Sequence, residues 1–303
     1  MTAKDNLALV VLCTTLGYDT KGKKNSVKPL TTAAFNKLEA RMDSLGLAPS
    51  IFLQEKFSDI SGLLAFSDKE LNQVSKLLLR ADKLGDELDR LAEKKIYITS
   101  RLQDNYPAKL KKAMGKNAPV IFFYCGDTRI LDNETIAIIG SREVKDNENE
   151  YATKHARISA QNNRVIVSGG ARGIDTIAKE AAIHAGGKVV TFVSDNMTGY
   201  IEKNADFILW GKMLTLSAFH PDAAFQGYNA LERNKYIYAS SDYAVVVSSG
   251  DGEGGSFKGA VDCLKNKYCS LYVKDDEYTP PGNKKLIELG GLPLNDAHER
   301  LSR

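Results

Sequence analysis

The chain has 303 residues, 43% of them hydrophobic, enough for one large domain or two smaller ones with a real core; wholesale disorder is excluded. Lys and Arg number 41 against 38 Asp and Glu, a net charge of +3, so a nucleic-acid partner is not demanded and any basic patch must be local. Cys13, Cys125, Cys263 and Cys269 form no CxxC pair and have no zinc-finger spacing to histidine, which reads as buried free thiols in a reducing cytosol.

In chain order, residues 1–94 read as a small all-helical domain without site chemistry. The apolar run at residues 7–12 is too short to span a bilayer and no signal-type cleavage site follows, so a cytoplasmic protein with no membrane role is expected. A short apolar helix covers residues 7–16, and a basic loop covers residues 21–28. Thr31 or Thr32 caps a helix running through Phe35, Leu38 and Met42 to Gly46. Ser67 with Glu70 makes a capping box, and a leucine-rich stripe from Leu71 to Leu91 carries one helix to about residue 93.

From residue 95 to 303 strands and helices alternate. Strands are expected at residues 96–99, 120–124, 135–139, 164–167, 188–193, 243–247 and 269–273. Helices are expected from Tyr106-Pro107 and over residues 147–161, 173–185, 231–239, 255–266 and 283–289, with a short apolar element at 207–209. Near-continuous apolar strands alternating with helices give an α/β fold, an extended Rossmann-like, doubly wound, mostly parallel sheet covered on both faces.

Three loops close strands on one rim of that sheet. The first is Gly140-Ser141-Arg142. The second is Ser168-Gly169-Gly170-Ala171-Arg172-Gly173-Ile174-Asp175, a glycine turn opening a helix. The third runs from Ser248 to Ser256 and includes Gly255. Helix N-termini present unpaired N–H groups and a positive dipole end, glycines admit a phosphate to the backbone, and arginines grip phosphate oxygens bidentately. Each loop alone reads equally as an ordinary turn; three on one edge favour a ligand rim. Asp175, in a first helical turn, is placed to orient Arg172. A nicotinamide dehydrogenase fits poorly. Ser168-x-Gly170-x-x-Gly173 misses the first glycine of the dinucleotide fingerprint, although Asp195 lies where a ribose-binding acid belongs.

These residues resemble the DNA processing protein A family, also called Smf. The resemblance rests on Tyr106-Pro107 with Leu110, on residues 136–142, on the Ser-Gly-x-Ala-Arg-Gly-Ile-Asp signature at 168–175 and on Gly186-Gly187-Lys188-Val189. It continues through Arg233-Asn234 after Phe225, Gly255-Ser256, and Pro281-Gly282-Asn283 through Gly290, and so covers residues 96 to 294. It implies a Rossmann-like domain that binds single-stranded DNA, forms a homodimer and helps load the recombinase RecA. It places Arg142, Ser168, Gly169, Arg172 and Gly173 in a phosphate pocket, with Arg233, Asn234, Gly255 and Ser256 as its other wall. Gly140, Ser141 and Gly170 belong to the same loops, and Lys258 stands near a helix N-terminus within reach of a phosphate. Lys179 departs from the family's usual histidine, and residues 217–220 lack its acidic residue. No winged-helix module is expected after the core.

A sister group, the cytokinin-activating phosphoribohydrolases, carries a catalytic glutamate after a related loop. Here Lys258 and Ala260 fill that region, and Asp262 is the nearest acid, out of phase. No enzyme, cofactor or metal is therefore expected, a nucleotide-cleaving reading being the lesser alternative. The main alternative is a diverged antitoxin or regulatory subunit that binds a toxin-like protein in a two-gene phage-defence system. Lys109, Lys112 and Lys116 make a basic stripe at helical spacing, readable as a DNA path or as a solvated face. Phe225, Tyr228 and Tyr236 flank Arg233 as base-stacking candidates or as core.

Overall fold

The computed structural model describes residues 2–17, 27–54 and 57–295. The basic loop expected over residues 21–28 lies, but for its last two residues, outside them. The chain divides into two compact units.

The first unit takes in Met1–Tyr106, Lys116–Tyr124 and Ala218–His220. It holds helices α1 (Ala3–Cys13), α2 (Thr32–Ser44), α3 (Ile51–Gln54), α4 (Phe57–Leu63), α5 (Asp68–Leu78) and α6 (Leu84–Glu93), with strands β1 (Tyr97–Ser100) and β2 (Ile121–Cys125) paired antiparallel. Thr2 and Asp5 box the start of α1, whose residues Ala8 to Leu12 are buried. Thr31 caps α2 by accepting the Ala34 N–H. The stripe from Leu71 to Leu91 is not one helix but two, broken by a 3-10 turn at Ala81–Lys83. The cause is Arg80. It is 4% exposed and turns its guanidinium inward to donate to the carbonyls of Val11, in the last turn of α1, and of Thr14 and Leu16 just beyond it. Those carbonyls would otherwise be orphaned at a buried helix end, and that need outweighs helical continuity.

The second unit takes in Pro107–Gly115, Cys125–Ser217 and Pro221–Arg303. Helix α7 (Ala108–Met114) is followed by β3 (Thr135–Ile139), α8 (Asp146–Gln161), β4 (Val165–Ser168), α9 (Ile174–His184) and β5 (Val189–Phe192). Then come α10 (Met197–Lys203), α11 (Ala205–Leu209), β6 (Met213–Ser217), α12 (Gly227–Ala239) and β7 (Tyr243–Val246). Last are α13 (Gly254–Asn266), β8 (Ser270–Lys274), α14 (Pro281–Glu288) and β9 (Leu292–Leu294). The strands lie in the order β6-β5-β4-β3-β7-β8-β9, every neighbouring pair parallel. This is the doubly wound sheet that the alternation implied. The element at residues 207–209 is helical, and the sequence reading missed β6, β9 and α10.

All five residues of β3 and all four of β7 are buried, as expected of strands covered on both faces. One layer of core joins Ile136, Ile138, Ile166 and Val245 to Ala152, Ala156 and Ala178. The small residues of α8 and α9 let both helices sit close to the sheet. At the other end of the chain Asn283, fully buried, donates to the carbonyls of Val247 (3.1 Å) and Lys274 (3.2 Å) and accepts from Ser249 Oγ (2.9 Å). That one amide ties the start of α14 to the ends of β7 and β8. It gives the Pro-Gly-Asn segment a structural rather than a ligand role.

Candidate functional site

Chain order reverses at β3. From β3 the chain winds through β4 and β5 to β6 on one side, then returns to place β7 on the other. Ligands of such sheets sit beyond the carboxyl ends of the strands at this switch. The loops after β4, β3 and β7 are therefore neighbours there because the strands are. The β3 and β7 loops are cross-linked. Ser141 N–H donates to Ser248 Oγ (3.1 Å), and Ser256 Oγ donates to the Gly140 carbonyl (2.7 Å). The β4 loop presses against them. Gly173 has φ +86°, and a Cβ there would lie 2.7 Å from Arg142 Cα, so only glycine fits.

Arg233 of α12 reaches under the β4 loop. It is 6% exposed, and a Cβ on Gly169 would collide with its guanidinium. Its Nη1 lies 3.8 Å from Asp175 Oδ2, which also accepts the N–H groups of Gly169 (3.2 Å) and Ala171 (3.3 Å). Burial pushes the Asp175 carboxyl up from its ordinary value, against the pull of Arg233 and of those two amides. Burial likewise pulls Arg233 down, against the pull of Asp175. Asp175 was expected to orient Arg172; its partner is Arg233, because α12 brings a buried guanidinium beside that carboxylate. Arg233 Nε is buried and has no hydrogen-bond partner among the described residues.

Two clefts open at this rim. The larger, about 730 Å³, is lined by Gly140, Ser141, Arg142, Arg172, Arg233, Asn234, Gly255, Ser256 and Lys258 among others. The smaller, about 390 Å³, adds Gly169 and Gly170 to Arg142, Arg172 and Arg233. The three arginines and Phe225 line both. Arg142, Arg172 and Lys258 are exposed. Ser168 and Gly173 line neither; Ser168 is buried, with its hydroxyl 3.4 Å from the Asp175 carbonyl.

Backbone amides were expected to hold phosphate, but those of Ser141, Gly169 and Ala171 are committed within the protein. The first turn of α13 differs. A Cβ on Gly255 would meet only Asn234 Nδ2, at 3.8 Å, so a ligand can approach its backbone closely. The sequence marks Asp195 only as a candidate ribose-binding acid, not as part of the rim, and gives no sign of Asn196, Tyr200 and Lys203 in the smaller cleft or of Glu143 and Glu253 in the larger. Asp195 follows β5, so the strand-end rule that found the other loops would have found it too.

Other expected features fall outside the clefts. Lys179, 9% exposed, donates to Asn204 Oδ1 (3.0 Å) and sits 5.8 Å from the Tyr200 ring centroid; burial lowers its pKa. Asp262 lines neither cleft and accepts from Asn266 Nδ2 (3.1 Å) through Oδ1. Lys109 is removed from the basic stripe by pairing with Asp242 and donating to the Asn133 carbonyl (2.7 Å). Tyr236 is core, and Tyr228 is 70% exposed without lining either cleft. Among the described residues, no group of three His, Cys, Asp or Glu could hold a metal, and no helix is long and apolar enough to cross a membrane.

The family model described as DNA recombination-mediator protein A matches residues 97–302. The DNA processing protein DprA of Streptococcus pneumoniae (strain ATCC BAA-255 / R6) is 30% identical over 160 residues, 52% of this chain and 55% of that protein. The chain thus spans about half the length of this curated relative. An X-ray structure of DNA processing protein A from Streptococcus pneumoniae superposes with a TM-score of 0.65 at 21% identity. It covers 90% of this chain and 98% of that one, and shows the shared fold. A structure of DNA processing protein A from Helicobacter pylori, described for its single-stranded DNA binding mode, gives a TM-score of 0.56 at 25% identity over 68% of this chain and 94% of that one.

Proposed function

The chain belongs to the DNA recombination-mediator protein A family, and from that premise we propose that the rim of its parallel sheet binds single-stranded DNA through phosphate. The observation that carries the proposal is Arg233, a buried guanidinium at the junction of two clefts with an Nε that no group among the described residues satisfies. A buried donor without a partner is costly, and a phosphate oxygen is the acceptor such a group calls for. Arg142 and Arg172 stand exposed at the same junction and add charge where the strand would run. The open first turn of α13, with Gly255, Ser256 and Lys258, offers a second phosphate position. Phe225, 56% exposed and lining both clefts, supplies a ring on which a base can stack without reading its identity.

In this reading phosphate contacts dominate, so binding is sequence-tolerant and strongly salt-dependent. Anisotropy of a labelled oligonucleotide at about 50 and 200 mM salt tests it. Arg142→Ala and Arg172→Ala should each weaken binding about tenfold and flatten the log–log salt slope by roughly 0.7, the value of one single-strand phosphate contact. Affinity and slope unchanged in both variants would sink the assignment.

The proposal is one of binding, not cleavage. Asp175 is engaged by Arg233 and two amides, and Asp262 lies outside both clefts. Glu143 and Glu253 do line the larger cleft, so release of free base from nucleoside monophosphates is the assay that would overturn this part. Delivery of the bound strand to a RecA-type recombinase, and pairing of two copies of the chain, complete the proposal. Co-purification with recombinase on single-stranded DNA and light scattering test them. Recovery of a toxin-like protein in place of recombinase and DNA would favour the antitoxin role.

A further inference from the structure

Helix α13 begins at the larger cleft and ends at Asn266, and Cys263 lies in its last turn. Lys267 then takes a left-handed conformation, φ +55°, and reverses the chain. Tyr268 N–H donates back to the Cys263 carbonyl (3.3 Å), and β8 starts at Ser270. The reversal carries Cys269 back over Cys263, leaving their sulfurs 3.8 Å apart. Cys263 is fully buried and Cys269 half-buried, so the pair lies at the edge of the core with each sulfur facing the other. A disulfide needs about 2.05 Å, and the remaining gap can be closed by side-chain torsion because the helix cap already holds the two backbones together.

We propose that Cys263 and Cys269 are a thiol–disulfide site that a peroxide-class oxidant closes within the folded chain. One sulfur of the pair, as its thiolate, attacks the peroxide. An S–O bond forms, the O–O bond breaks and one water leaves, giving a sulfenic acid. The second thiol attacks that sulfur; the S–S bond forms, the S–O bond breaks, and the thiol proton leaves with the hydroxyl as a second water. Two thiols and one hydrogen peroxide thus give one disulfide and two waters. A thiol reductant reverses the bond by exchange.

The test treats the reduced, native chain with hydrogen peroxide, blocks remaining thiols and digests with trypsin. Lys265 and Lys267 lie between the two cysteines, so the cysteines fall on separate peptides unless a disulfide joins them. The expected result is a Cys263–Cys269 linked pair that dithiothreitol dissolves and that C269S lacks. Two outcomes overturn the proposal. One is either cysteine advancing to sulfinic acid with no linked pair. The other is a linked pair that forms only after denaturation with urea. C263A repeats the test from the other side, in case C269S folds poorly. Neither cysteine lines a cleft, so both variants should bind single-stranded DNA as the parent does, and the fate of this site is independent of the DNA-binding proposal.

Discussion

Arg233 and Asp175 show how a single buried pair can fix a loop. The carboxylate holds two amides of the β4 loop, the guanidinium faces the carboxylate, and Gly169 leaves room for both. Removing one partner strands the other charge in the interior. Arg233→Ala should therefore lower unfolding stability by about 3–5 kcal/mol, read from the urea midpoint, as well as abolishing DNA binding. A loss under 1 kcal/mol would mean that the pair is more solvated than its burial indicates. Gly169→Ala introduces a methyl where the guanidinium lies and should cost about 1–3 kcal/mol, with binding lost because Arg233 must move. At this scale identities were legible and partners were not. The signature from Ser168 to Asp175 was legible as a glycine turn that ends a strand and opens a helix. That Asp175 serves Arg233, 58 positions away in number but adjacent in space, was not, because no local pattern encodes a contact made through a sheet.

Among the elements, caps were readable and interruptions were not. Ser67 and Glu70 form the expected box at the start of α5, and Arg41 adds an ion pair of 2.6 Å to the same carboxylate. The hydrogen bond from Arg41 and the Ser67 amide hold Glu70 down from 4.5 to about 2. A carboxyl with a depressed folded pKa contributes stability above its unfolded value and loses it as pH falls through the folded one. Acid should thus weaken the helical unit between about pH 4.5 and 2. Glu70→Gln should remove that slope at a cost of roughly 1 kcal/mol at neutral pH, small because the pair is partly solvated. An unchanged acid titration of stability in E70Q would show that other carboxylates carry it. The break between α5 and α6 escaped notice for a different reason. The leucine spacing continues across it, and what interrupts the helix is Arg80 meeting carbonyls at and just beyond the end of α1.

For the whole molecule, the chain reversal at β3 decides which strand-end loops are neighbours. β3 and β7 are central and β9 is a three-residue edge. Amides of β3 and β7 should be the slowest to exchange in deuterium labelling and those of β9 the fastest among the strands. Protection of β9 equal to that of β7 would point to a partner strand covering the edge. The alternation of apolar strands and helices, the three glycine loops and their arginines were all written in the sequence, because period, turn chemistry and charge are local properties. Only the tertiary structure decided which loops meet, which amides are already spent inside the protein, that the rim holds two clefts joined by Arg142, Arg172 and Arg233, and that Cys263 lies against Cys269. Those follow from strand order and from helices returning over the sheet, and a contact between distant residues has no signature in either residue's own neighbourhood.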